Sequence, residues 1–183
     1  TLVYTNGNPI TKGLSDTFLF QFLGQGYIVG IPFPVIIMFI VFIVLYVLLH
    51  KTAFGKSVYA IGGNEKAAYI SGVKLNKVKI IIYSISGIMA SISGLIITSR
   101  LSSAQPTAGA SYEMDAIAAV VLGGTSLSGG KGRILGTLIG ALIIGVLNNG
   151  LNIIGVSAFW QQVVKGVVIL IAVLIDRFKV VKQ

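Results

Sequence analysis

Residues 50–79 read HKTAFGKSVYAIGGNEKAAYISGVKLNKVK. This stretch carries Lys51, Lys56, Lys66, Lys74, Lys77 and Lys79 against the lone acid Glu65, and it lies between two runs that hold no charge. Before it, Ile31 to Leu49 reaches roughly 28 Å as a helix at about 1.5 Å per residue, enough to cross the hydrocarbon core of a bilayer. After it, Ile80 to Ser99 is a second such run. A lysine-rich segment between two spans is a cytoplasmic loop, since basic residues accumulate on that side. The expected fold class is therefore all-α: a polytopic transmembrane helical bundle.

Composition agrees. With 55% apolar and only 10% charged residues, 23 glycines and a mean hydropathy of +0.92, a soluble domain would lack polar surface. The net charge of +9 raises nucleic acid as a partner, but the basic residues sit between and beside apolar runs, where they act as orientation signals. No nucleic-acid role is expected. The absence of cysteine removes disulfides, thiolate metal sites and thiol nucleophiles, and a single histidine removes a histidine metal cluster. The chain starts at Thr1 without a signal-like n-region and h-region, so it is read as the later part of a longer protein.

Outward from the loop, the segments divide into residues 1–30, a periplasmic loop, and residues 31–183, the transmembrane region. In the first, LSDTFLFQFLG (14–24) is read as an interfacial helix capped by Ser15 or Asp16. Pro32 and Pro34 mark the first turn of the first span. In the second span Ser84, Gly87, Ser91, Gly94 and Thr98 form a narrow small-residue stripe that is expected to pack against another helix. Arg100 to Asp115 reads as a loop. Ala116 to Leu122, capped by Asp115 and stopped by Gly123-Gly124, gives about 12 Å of helix, too short to span, and is read as a re-entrant or discontinuous segment. Ser126 to Arg133 is a tight glycine loop. Ile134 to Leu151 forms the next span, entered through Gly132, Gly136 and Gly140 in a GxxxGxxxG run that permits close backbone contact. A turn at Gly155 to Ala158 leads to a last span, Phe159 to Ile175, and a charged tail.

Alternating sides along this path separates the charges. The 50–79 loop is net +5, the Lys131 and Arg133 loop +2, and the tail, with Arg177, Lys179 and Lys182 against Asp176, +2. The opposite side has Lys12 with Asp16, net 0, and Arg100 with Glu113 and Asp115, net −1. Three positive segments on one side are what the positive-inside rule demands.

Few residues suggest chemistry. Lys165 is the one cation well inside an apolar run, where a charge is costly; it is either functional or snorkels from near the outer end of its helix. Asn148, Asn149, Asn152, Gln161 and Gln162 gather at the same outer ends. Amides both donate and accept, which suits hydroxyl-rich solutes, and they serve equally as helix caps. With Lys165 they make the candidate translocation pathway. Glu113 and Asp115 read as loop and cap, and His50 as an interfacial residue. Leu127-Ser128-Gly129-Gly130 matches the start of the ABC ATPase signature, but no G-x-x-x-x-G-K-[ST] occurs, and nucleotide binding is not expected.

The runs FGKSVYAIGGNEKAAYISGVKLNKVKIIIYSISGIMASISGLI, RLSSAQPTAGASYEMDAIAAVVLGGTSLSGGKGRILGTLIGALIIGVLNNGLN and WQQVVKGVVILIAVLID resemble the C-terminal half of the ribose/galactose-type permease subunit of bacterial ABC sugar importers. The resemblance covers nearly all of the chain from about Pro32. It implies a multi-pass, non-catalytic subunit of the bacterial cytoplasmic membrane that conducts a monosaccharide, ribose in the first instance. It implies as partners a second permease subunit in a homodimer, a cytoplasmic ATPase that binds ATP and Mg, a periplasmic sugar-binding protein and membrane lipid. This chain itself is expected to bind no cofactor and no metal. The resemblance places ATPase coupling at Asn64, Glu65, Lys66, Ala67, Ala68, Ser71 and Gly72, similar to an EAA-type loop. Physically, Asn64 suits an N-cap, Glu65 a first turn, and Ala67, Ala68 and Ser71 a small face able to enter a groove. The alternative is an ordinary cytoplasmic turn. For the whole chain the alternatives are a secondary transporter or channel, for which the spans hold no coupling carboxylate, and an intramembrane enzyme, for which no nucleophile and base pair is visible.

Overall fold

A computed structural model describes residues 18–181. Eight helices and one small hairpin occur among the described residues: α1 (Phe18–Gln25), β1 (Tyr27–Ile28), β2 (Ile31–Pro32), α2 (Phe33–Lys51), α3 (Ala53–Gly63), α4 (Glu65–Ile70), α5 (Leu75–Leu101), α6 (Tyr112–Leu122), α7 (Ile134–Ile153) and α8 (Ala158–Val181). Three of these, α2, α5 and α7, are long and apolar enough to cross a membrane, with mean hydropathies of 2.8, 2.1 and 1.9 over their best windows. The all-α polytopic reading holds. The chain divides into two compact units, one of the described residues up to Leu48 with Asn76–Ala110, the other of Leu49–Leu75 with Ser111 onward.

In the first unit, α1 is the short helix expected before the first span; its proposed caps Ser15 and Asp16 lie outside the described residues. Val29 (φ 51°) and Gly30 (φ 79°) both take left-handed backbone between the antiparallel strands β1 and β2, as the tight turn of a two-residue hairpin requires. Pro32 belongs to β2, so the span opens at Phe33 rather than Ile31, with Pro34 in its first turn. Gln25 ties α1 to the end of α5: its Nε2 donates to the Arg100 carbonyl (3.2 Å) and to Ser102 Oγ (2.9 Å), while the buried Ser99 hydroxyl donates to the Phe20 carbonyl. The stripe on α5 does not pack as expected. Among the described residues a Cβ on Gly87 or Gly94 would meet nothing within 4 Å, and the hydroxyls of Ser91 and Thr98 turn back to the carbonyls of Gly87 and Gly94 on the same helix. That back-bonding satisfies the hydroxyls without a neighbour.

The basic stretch is largely helical, and from Leu49 to Leu75 it belongs to the second unit. His50 and Lys51 form the last turn of α2, α3 and α4 occupy its middle, and Lys77 and Lys79 lie in the opening turns of α5, which begins five residues earlier than its apolar run suggests. Helices α6 and α7 pack through backbone. Side chains added at Gly123 and Gly136 would collide with each other's backbone, and one at Gly140 would strike the Ala119 carbonyl. The expected close contact through Gly136 and Gly140 is thus real and joins α7 to α6. Gly132 differs: it precedes α7, and a Cβ there would lie 3.0 Å from Thr125 Cγ2, against a side chain rather than a helix backbone. Ala118, Ala119 and Ile144 make the small buried core beside the glycine contact, with Val168 and Ile169 of α8 packed on it.

The short segment also differs in its start. α6 begins at Tyr112, after Ser111 in left-handed backbone (φ 70°), so Asp115 lies within the first turns instead of capping them. Its eleven residues extend about 16 Å, still too short to span. Gly124 (φ 81°) ends it as the glycine pair foretells, its amide donating to the Val121 carbonyl at 2.9 Å. The last helix, α8, runs through residue 181, past the limit at Ile175, with its apolar stretch at Phe159–Ile171.

Candidate functional site

Moving Asp115 from cap to helix interior gives it a different task. Its carboxylate projects from α6 toward α7 and α8, where Lys165 Nζ lies 2.7 Å from Oδ1 and donates to Oδ2 at 3.0 Å. Asn148 Nδ2 of α7 donates to the same Oδ2, also at 3.0 Å. The lysine and aspartate side chains are only 14% and 19% exposed. One carboxylate thus receives a cation and an amide from two different helices. Such a pair fixes the register of three helices, because displacing either partner would strand the other's charge in low dielectric. Lys165 is therefore paired rather than snorkelling outward.

Beside the pair opens a cleft of about 350 Å³, bounded by Tyr112, Asp115, Ala116 and Ala119 of α6 and Ala141, Ile144, Gly145 and Asn148 of α7. Small residues on both helices make the room, and Asn148 and Asp115 supply its polarity. Asn148 Oδ1 is buried and has no hydrogen-bond partner among the described residues. With its amino group held by the carboxylate, this side chain keeps a vacant acceptor at the cleft.

The other amides separate. Gln161 Nε2 donates to Asn152 Oδ1 and to the Val156 carbonyl, both at 2.8 Å, so these two side chains lock the α7–α8 turn and do not line the cleft. Gln162 reaches Ser111 Oγ at 3.4 Å, and Asn149 is exposed. Of the six expected pathway residues, Asn148 and Lys165 meet in one place. Asp115 completes them, a role the cap assignment conceals. The sequence does hold a signal for it: a lone intramembrane cation needs an acid, and Asp115 is one of five acids in the chain.

The coupling segment folds as a helix of its own. Asn64 Oδ1 accepts from the Ala67 amide at 3.0 Å, the expected N-cap, and Glu65 sits in the first turn. Ser71 Oγ returns to the Ala67 carbonyl, and Gly72 (φ 84°) turns the chain sharply, where a side chain would be strained. Ala68 does not face outward: it is 4% exposed, packed against its own chain. The exposed face carries Glu65, Lys66, Ala67, Tyr69 and Ile70, the last two 69% and 85% exposed.

The family model described as branched-chain amino acid transport system / permease component matches residues 3–173. The chain belongs to this permease family. It is 68% identical, over 98% of its length, to the ribose import permease protein of Bacillus subtilis, and 59% identical over 98% to that of Escherichia coli strain K12. It is 42% identical over 97% to the D-allose transport system permease protein of the same E. coli strain. It spans 55%, 56% and 53% of these relatives, about half of each. No solved structure matches it. Family membership and the three bilayer-length helices together make this permease chain a multi-pass protein of the cytoplasmic membrane.

Proposed function

We propose that the chain is part of the membrane-spanning subunit of an ATP-binding-cassette importer, forms a portion of the path for a monosaccharide, ribose in the first instance, and carries no catalysis of its own. The observation that carries this reading is the near-complete match to two ribose import permeases at 68% and 59% identity, against 42% for the allose relative. The α6–α7 cleft is consistent with it, since the neutral Asn148 amide offers a hydroxyl-bearing solute an acceptor while Lys165 cancels the Asp115 charge. That cancellation also disfavours a secondary transporter, which uses an intramembrane carboxylate able to bind its coupling ion.

The remaining roles belong to partners. A separate cytoplasmic ATPase holds ATP and Mg and docks on α4; a periplasmic binding protein selects and delivers the sugar; a second permease copy completes the path. The chain needs no resident cofactor. The test is reconstitution of the full-length subunit with its ATPase and binding protein in vesicles, with uptake of radiolabelled ribose followed against allose. ATP-dependent ribose uptake abolished by omitting the ATPase supports the reading; uptake driven by an ion gradient without ATP overturns it.

A further inference from the structure

A second, larger cavity of about 690 Å³ opens in the same unit between the end of α2 and the loop that leads into α7. It is lined by His50, Tyr59, Gly123, Gly124 and the segment 130–133. Its charged side chains are Lys131 and Arg133, joined by the ionisable His50, and no carboxylate lines it. Half of the lining residues are glycines, so bare peptide backbone forms much of the wall, with the amides of Gly123 and Gly124 already held by the carbonyls of Ala119 and Val121. Tyr59 braces the loop by donating its hydroxyl to the Gly132 carbonyl at 3.2 Å, and Arg133, the residue before α7, makes no capping hydrogen bond to that helix with its side chain. The position is informative. His50 lies in the last turn of α2 and Ile134 opens α7, two helices of bilayer length, so the cavity sits where spans end and phospholipid phosphates lie.

We infer that this cavity binds a phosphate-bearing anion, presented as the head group of an anionic phospholipid. Two cations in one cavity match the several acceptor oxygens of a phosphate, and arginine in particular can bind two of them at once. A nucleotide cradle is a different structure: a strand precedes such a loop, whereas here α6 does. The volume accommodates a glycerophosphate head group with water. The same chemistry would hold a free phosphate, and experiment separates the two sources.

The full-length subunit in detergent is titrated with phosphatidylglycerol, with phosphatidylcholine for comparison, and bound lipid is counted by native mass spectrometry. Retention of phosphatidylglycerol over phosphatidylcholine is expected, and Lys131→Gln/Arg133→Gln should weaken it about tenfold or more, the equivalent of one charge-assisted hydrogen bond. Lys74→Gln/Lys77→Gln makes the same charge change outside the cavity and should retain the lipid. Equal loss in both double variants, or none in the first, overturns the site. Where binding is lost only in the first, displacement by millimolar inorganic phosphate assigns a free anion, and its failure assigns the head group. A diazirine-bearing phosphatidylglycerol cross-linked to the unsubstituted protein gives an independent reading: adducts at Tyr59 or residues 130–133 support the site, and their absence there counts against it.

Discussion

Lys165 and Asp115 depend on each other because each is a charge with little water around it. Truncating one partner of a buried ion pair costs about 3–5 kcal/mol, mostly the penalty on the charge left behind, while removing both costs far less. Lys165→Met in the full-length subunit should therefore lower thermal stability in detergent sharply, and adding Asp115→Asn should recover most of the loss. A double variant no more stable than the single would show that the ion pair does not hold these helices. Asn148→Leu asks a different question. It removes the vacant acceptor and fills the cleft with apolar volume; the expected outcome is a folded subunit with ribose uptake reduced about tenfold or more, read as transport per copy in vesicles. Asp115 shows why a sequence reveals only part of such a site. Just ahead of an apolar run is where a cap belongs, and only the left-handed Ser111, a tertiary choice, moves the helix start upstream and turns the carboxylate inward.

At the scale of elements, glycine spacing was the most readable signal. GxxxG predicts backbone contact, and Gly136 and Gly140 make it against α6. Gly136→Leu should drive α6 and α7 apart and abolish a cooperative melt, whereas Gly87→Leu on the open stripe of α5 should leave the melt of the isolated subunit unchanged. The stripe on α5 has the same composition, yet among the described residues nothing packs on Gly87 or Gly94, a difference that spacing alone does not show. For α4 the capping residue was legible and the buried face was not, since a six-residue helix has too few turns to display a periodic pattern. Its test follows from the burial found. Ala68→Glu would place a carboxylate in a 4%-exposed site and should destabilise the subunit itself by about 1–3 kcal/mol. Ile70→Glu lies on the exposed face and should leave the melt unchanged while reducing co-purification of the ATPase and ribose uptake. Full ATPase retention in Ile70→Glu would remove α4 as the docking helix.

For the whole molecule, hydropathy and charge placed every long helix, because a bilayer demands both a minimum length and internally satisfied backbone, and only those demands are written along the chain as composition. What they leave open is how a segment too short to cross, α6, connects two spans that the charge pattern sends in the same direction. The charge pattern supplies a prediction about it: if the 50–79 and 131–133 segments share a side, the chain between Arg100 and Ser111 must lie on the other, with α6 returning it partway. Single cysteines in the full-length subunit decide this. Ser103 is a poor probe because it is 7% exposed, whereas Thr107 in the same loop is open to reagent. Thr107→Cys should react with an impermeant maleimide from the periplasmic side, and Lys74→Cys only after the cytoplasmic side is opened. Arg133→Cys should behave like Lys74→Cys, since α6 and the loop after it carry the chain back. Labelling of Thr107→Cys and Arg133→Cys from one side would mean that α6 enters and leaves through the same face, and the net +2 of the Lys131 and Arg133 loop would then have to be explained by the ligand it holds rather than by the side on which it lies.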